Sequence, residues 1–434
     1  MQTNLETLGT LERRLNVAVP QNEIEAEVES RLKRLARTAR VAGFRPGKVP
    51  LNVVARQYGA QVRQEVLGET LQRSFSAAVR EKNLKVAGYP RFEPKAGETD
   101  AAQFEYSATF EVYPEVAIGD LSGATIERPS IVIGDAEVDK TLQVLRKQRG
   151  RFEPVARAAA NGDKVRMDFR ATVEGQEFPG GKGDNFEVVL GEGRLLPDFE
   201  SNVVGVAAGG VKTFELTFPE DYHGKEVAGK TATFEVTLKE VAELRLAEVD
   251  ADFAKGLGIA DGDLGKMRDE IKANLEREVK RRVQARVKEQ VMQALIDHAK
   301  LDLPKALVEA ESHQLGESAR RDLEARGVKV PAAGVPPEMF REQAERRVRL
   351  GLILSELVKL NELHARPEQV RSIVEDFAQS YEQPHEVVQW YYAAPERLRD
   401  AEALALEENV VAWVESKAKM VDKPAEFDEF MGKA

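Results

Sequence analysis

Hydrophobic positions repeat every second residue over 11–19. Leu11, Leu15, Val17 and Val19 share one face there and predict a strand. The period then lengthens. Ile24, Val28, Leu32, Leu35 and Ala39 recur at three and four, which predicts an amphipathic helix ending at Gly43. Asn22, three residues before Glu25, reads as its start signal, close to a capping box. Lys33, Arg34, Arg37 and Arg40 fall on the face opposite the apolar stripe. The loop Gly43-Phe-Arg-Pro-Gly-Lys-Val-Pro50 interrupts the pattern, which resumes to about Leu84. Phe104, Tyr106, Ala108, Phe110 and Val112 alternate again as a strand, so residues 1–115 read as one α+β domain.

Residues 120–245 change character. Val165, Met167, Phe169, Ala171 and Val173 alternate, as do Phe214, Leu216 and Phe218, and later Phe234, Val236 and Leu238. Glycine-containing turns separate these runs, and 135–148 is the one clear helix, so the segment predicts a small antiparallel β-domain. Beyond 246 the pattern is helical. From Met267 through Ile271, Leu275, Val279, Val283, Val287 and Val291 to Leu295, apolar residues recur at a spacing of four. Four exceeds the helical repeat, so the stripe winds around the helix by about 40° per step. A helix over 264–296 would span ~50 Å at 1.5 Å per residue, more than a compact domain needs. Pro304, Pro337, Pro367, Pro384 and Pro395 mark the starts of further helices.

At 434 residues the chain is long enough for about three domains. Its 42% of hydrophobic residues suffices for ordinary cores. Cysteine is absent, which excludes disulfides, thiolate zinc sites and cysteine nucleophiles. The start, Met1-Gln-Thr-Asn-Leu-Glu, lacks a basic region followed by an apolar run, so no secretory signal is expected, and no window is apolar enough for a membrane span. Walker-A, Gly-x-Gly-x-x-Gly and His-Glu-x-x-His patterns are missing, and the histidines are scattered. Nucleotide, metal and nucleophile chemistry are therefore not expected.

The net charge of −11 is unevenly spread. Between Ser30 and Gln64 there is no acid but nine basic residues: Arg31, Lys33, Arg34, Arg37, Arg40, Arg45, Lys48, Arg56 and Arg63. Such a segment in an acidic chain points to a polyanionic partner, or else to a solvated helix face whose partners lie elsewhere in the fold. Within it, Phe44 has neither an alternating nor a helical partner. It either projects from the loop tip, accompanied by Arg45 and Lys48, or tucks into the domain core. The loop resembles the ribosome-docking signature Gly-Phe-Arg-x-Gly-x-x-Pro of the trigger factor family. Gly43, Phe44, Arg45, Gly47 and Pro50 match its fixed positions, and Lys48 adds a further cation.

The aromatics of the β-domain suggest a second site. Phe178-Pro-Gly-Gly and the run from Gly191 to Phe199 are loop-rich, and aromatics at loop edges either line a cleft or complete a small core. Residues 162–241 resemble an FKBP-type prolyl isomerase. Phe169, after Asp168, then Phe178, Phe186, Leu195, Leu196, Phe199, Tyr222 and Phe234 fall on that family's pocket positions in order. Arg170-Ala171 stands where that family has Thr-Gly, Pro179 where it has an acid, and Asp198 where it has Gly. The resemblance implies isomerisation without a nucleophile or cofactor. An apolar pocket holds the proline ring and favours the less polar, twisted amide, so the transition state is bound more tightly than the ground state.

The helical segment has no motif of its own, and its discontinuous stripes fit plain packing or arms that cradle unfolded chains. The domain order, with Asn361-Glu-Leu363 and an acidic-apolar tail, is similar to the trigger factor family over essentially the whole length. This implies a multidomain α+β protein. Residues 1–115 would be a ribosome-binding α+β domain, 116–149 a linker, 150–245 an FKBP-like antiparallel β-domain and 246–434 an all-helical chaperone domain with long arms. The partners so implied are the large ribosomal subunit near the exit tunnel, through protein and rRNA, and nascent or unfolded polypeptides. The implied setting is cytoplasmic, without a membrane, and a homodimer off the ribosome is compatible with it. Two alternatives remain: a free-standing prolyl isomerase whose other domains recruit folded partners, and a protein using 30–64 directly on RNA. The aromatic repeats expected of single-strand readers are absent near the basic segment.

Overall fold

The computed structural model describes residues 2–39, 44, 49–95, 103–222, 224–328, 334–379, 381 and 383–432. The chain forms two compact units, one of residues 1–127 and 286–421, the other of 128–285 and 422–434.

The first unit begins with strands Gln2–Thr7 and Glu12–Pro20, helices Gln21–Thr38 and Leu51–Glu81, and strands Val86–Pro94 and Gln103–Val112. The strands form one antiparallel sheet with Glu12–Pro20 and Gln103–Val112 at its centre. Leu15 pairs with Ala108 and Val17 with Tyr106, which sends the alternating apolar residues of both strands into one core with Ile24, Val54, Val66 and Phe75. The Tyr106 hydroxyl is satisfied there by Ser74 Oγ at 2.7 Å. The first helix differs from expectation at both ends. Pro20 is its N-cap, with no side-chain cap, so Asn22 is a helical residue. Proline already sets the required φ and carries no N–H, so it starts the helix two residues early. Thr38 is the last helical residue, and the proposed continuation to Gly43 lies outside the described residues.

Later in this unit, helices Lys305–Ala325, Arg341–Asn361, Pro367–Ala378, Pro384–Tyr392 and Pro395–Glu415 follow one another. Pro367, Pro384 and Pro395 each occupy a first helical turn, and Glu362 ends the second helix in the left-handed region at φ 53°.

The second unit contains helix Asp135–Gln148 and a five-stranded antiparallel sheet. In that sheet Val211–Thr217, Thr231–Arg245, Lys164–Val173 and Gln176–Val189 lie side by side, and Arg151–Pro154 pairs with the far end of Thr231–Arg245. Val165, Met167, Leu190, Val236 and Leu238 form the floor of its core, each at most 3% exposed. Beside it, Val138 and Leu142 pack on Phe253, Met267 and Ile271. The helix Leu264–His298 runs for 35 residues and bears the winding stripe. Its early members Met267 and Ile271 belong to this second core, whereas Val287, Val291 and Leu295 are buried residues of the first unit.

Candidate functional site

The sheet and one short helix of the second unit enclose a cleft of about 580 Å³. Pro197 opens helix Pro197–Val203, and its fixed φ sets the first turn. The amides of Phe199 and Glu200 both donate to the Leu196 carbonyl, at 2.9 and 3.1 Å. That turn points Phe199 and Val203 at the core and leaves Leu195 and Leu196 on the approach. The approach is tied down at its start. The Gly191 amide donates to Glu200 Oε2 at 3.1 Å, and Gly191 sits at φ 89°, a conformation open to glycine. One step earlier, the Leu190 amide donates to the Asp163 carbonyl at 3.0 Å. The Asp163 carboxylate is held in turn by Arg157 at 2.6 and 2.9 Å and by the Ala160 amide at 2.8 Å.

All eight residues expected at the pocket come together here. Phe169, Phe178 and Phe186 come from the two edge-side strands, Leu195, Leu196 and Phe199 from the turn and helix, and Tyr222 and Phe234 from the opposite side. The rings meet edge to face, the arrangement favoured by their quadrupoles. Phe199 lies 5.3 Å from Phe234 at 83°, and Phe169 lies 5.7 Å from Phe186 at 88°. Depth separates their roles. Phe199 is 6% and Phe234 7% exposed, so both are core residues as well as cleft floor, whereas Phe186 at 37% stands at the rim. Phe178, expected in a loop, is in strand Gln176–Val189, within the stretch 178–181 where the pairing with Lys164–Val173 shifts register between Arg170 and Thr172.

Leu216, Phe218 and Val227 also line the cleft. Leu216 and Phe218 belong to the alternation with Phe214, which reads as an ordinary strand face, and no sequence pattern singles out Val227. Phe218 lies 6.0 Å from Phe178 and 4.7 Å from Tyr222, closing that side. Of the three departures from the FKBP pattern, Pro179 lines the cleft, while Arg170 and Asp198 are exposed outside it. Among the described lining residues Arg194 carries the charge, and its guanidinium is paired to Glu192 at 3.5 Å. No described group of His, Asp and Glu is arranged to hold a metal ion. The cleft is thus an apolar receptacle with an aromatic floor, suited to a small ring and to stripping water from an adjacent amide.

At the other candidate site, Gly43, Arg45, Gly47 and Lys48 lie outside the described residues. Phe44 is 41% exposed, and Pro50 is the N-cap of helix Leu51–Glu81. Part of the basic segment is neutralised within the domain. Arg31 pairs with Glu27 and Glu69, Lys33 with Glu29 at 2.7 Å, and Arg63 with Glu25 at 3.5 Å. Arg34, Arg37 and Arg56 are exposed and have no ion pair among the described residues. Acids from just outside the acid-free stretch fold back onto it, which a linear charge count does not register.

Residues 155–239 match the family described as FKBP-type peptidyl-prolyl cis-trans isomerase, so the cleft domain is an isomerase of that type. Residues 1–145 match the bacterial trigger factor protein, and residues 263–416 match the bacterial trigger factor C-terminus. Trigger factor from Nitrosospira multiformis is 62% identical over 435 residues, covering 100% of both chains. Those from Aromatoleum aromaticum and Chromobacterium violaceum are each 56% identical, covering 100% of this chain and 100% and 99% of their own. The chain belongs to the trigger factor family: it is a chaperone that carries an FKBP-type isomerase domain. No described helix is long and apolar enough to cross a membrane.

Proposed function

We propose that this chaperone works in the cytoplasm on the large ribosomal subunit, next to the exit tunnel, where it keeps emerging chains open and isomerises their X–Pro bonds. The docking element is the loop from Gly43 to Pro50, with Phe44 in an apolar niche and Arg45 and Lys48 on phosphates or acidic protein. The observation that carries this reading is that loop: its fixed positions all match the docking signature, and Phe44 is exposed. Arg34, Arg37 and Arg56, exposed and without an ion pair among the described residues, supply further charge, which makes docking salt-dependent. In this reading residues 1–115 dock, 116–149 link, 150–245 isomerise and 246–434 hold clients.

In the cleft, Phe199 and Phe234 are the floor under the proline ring. Phe169, Phe178, Phe186, Leu195, Leu196 and Tyr222 are the walls that exclude water from the amide. Desolvation disfavours the planar, more polar amide relative to the twisted one, and so lowers the rotational barrier. The chemistry needs no charged group at the reacting atoms, and the apolar lining agrees with that.

Ribosome co-sedimentation tests the docking reading. Replacing Phe44, Arg45 and Lys48 together by Ala should leave the protein in the supernatant with unchanged far-UV circular dichroism. Undiminished co-sedimentation of the folded variant would overturn it.

A further inference from the structure

The strand that carries Phe169 also carries Asp168, whose carboxylate does not line the cleft. One neighbouring strand bulges opposite it, and the other, which pairs Thr237 with Asp168, bulges between the next two pairs. On one side Met167 pairs with Phe186 and Phe169 with Gly183, so Asp184 and Asn185 together face the single residue Asp168. On the other side Leu238 pairs with Met167 and Glu240 with Arg166, so Lys239 is the extra residue. The Asp168 carboxylate contacts a residue from each bulge. Its Oδ1 accepts the Lys239 ammonium at 2.7 Å and the Asn185 amide at 2.7 Å. The triangle is completed by Lys239 Nζ, which donates to Asn185 Oδ1 at 2.8 Å. Asn185 sits at φ 52°, in the left-handed region that asparagine tolerates better than most side chains.

The residue after Asn185 is Phe186, the exposed rim of the cleft, edge-on to Phe169. Asp168 and Lys239 keep 32% and 35% of their side chains exposed, so as a surface pair they contribute little to stability. What they do fix is the backbone immediately before the rim aromatic. Without them the Asn185 amide and side-chain oxygen lose the hydrogen bonds that pin the bulged residue between its flanking ladder pairs.

We propose that Asp168, Lys239 and Asn185 form a latch that positions Phe186 over the mouth of the cleft. They are positioning residues: through Phe186 they set how completely the amide beside the substrate proline is shielded. The inference rests on the cleft being the isomerase site.

The test uses the full-length chain, with Lys239→Met, Asp168→Asn and Phe186→Leu alone and combined, assayed on X–Pro peptides with a melting curve for each. Each latch variant should lose on the order of three- to tenfold in kcat/KM while staying folded, since small misplacements of a positioning group have such effects. Lys239→Arg should recover most of the rate. In the Phe186→Leu background the latch variants should cause no further loss, because the pathway to the rate is already removed. Amide exchange at Asn185 should accelerate in Asp168→Asn, a readout independent of catalysis. Wild-type kinetics in the latch variants, unchanged exchange at Asn185, or losses that multiply with Phe186→Leu would each overturn the latch. If Phe186→Leu is slow but the latch variants are not, the cleft reading survives and the latch alone fails. If Phe186→Leu has wild-type kinetics, the rim has no role and both fall at this residue.

Discussion

The ring of Phe169 occupies the space that a side chain at Gly183 would need. A β-carbon placed on Gly183 would sit 2.5 Å from Cε1 of that ring. The two residues face each other across paired strands, so the cleft wall depends on a missing side chain in its neighbour. Gly183→Ala should therefore displace Phe169 and its edge contact with Phe186. A loss of about 1–3 kcal/mol is expected from the overpacking, with a larger fall in isomerase rate than the unfolded fraction explains. Thermal melts alongside a peptide isomerisation assay check this, and an unchanged rate would show that Phe169 has room to move.

Phe199 serves the core and the cleft floor at once. Phe199→Ala is expected to cost about 3–5 kcal/mol, because the ring is buried between Phe214 and Phe234. That variant cannot separate the roles. Phe199→Leu retains most of the volume and should keep the domain folded while losing most of the isomerase rate. A rate that falls only in proportion to unfolding would make Phe199 structural.

The isomerase segment should be removable. Arg146 Nε donates to the Ala247 carbonyl at 2.8 Å, and the Ala247 amide reaches the Arg146 carbonyl at 3.4 Å. The two ends of the segment therefore lie side by side, and a short flexible linker can replace residues 150–245. The shortened chain is expected to slow aggregation of a denatured test protein nearly as well as the full chain, with isomerase activity gone. Complete loss of that protection in a folded deletion variant would place client holding in the isomerase segment instead.

Acid should loosen the base of the cleft through Asp163. Burial pushes its carboxyl up, but the Arg157 hydrogen bonds, the Ala160 amide and the guanidinium charge outweigh burial and hold it below its ordinary value of 3.8. A carboxyl depressed by folding contributes stability above its unfolded value and loses it as pH falls through the folded one. The stabilisation is thus intact at neutral pH and lost below about pH 4. Asp163→Asn should cost about 1–3 kcal/mol at neutral pH and flatten the acid side of the melting profile. A profile identical to wild type would remove Asp163 from this role.

Local physics determined a great deal from sequence alone. Helix 135–148, the long helix from 264 and the alternating strands around Leu15, Val165 and Phe234 follow from hydrophobic periods that tertiary contacts only reinforce. The cleft aromatics were legible because their order along the chain resembles a known pattern. Other features depend on residues far apart in sequence, and only the tertiary structure decided them. A stripe spaced by four winds around its helix, but that its early part enters one core while later residues are buried in another unit is set by what packs there. Phe218 looks like any strand residue until Phe178 and Tyr222 close on it. The acid-free segment looks uniformly free until Glu69 and Glu25, on the other helix in each case, pair with Arg31 and Arg63. Asp168 is legible as the partner of Phe169 in the FKBP-type pattern, but its contacts with Lys239 and Asn185 depend on strand pairing. Periodicity is a property of neighbours along the chain, whereas pairing is a property of neighbours in space.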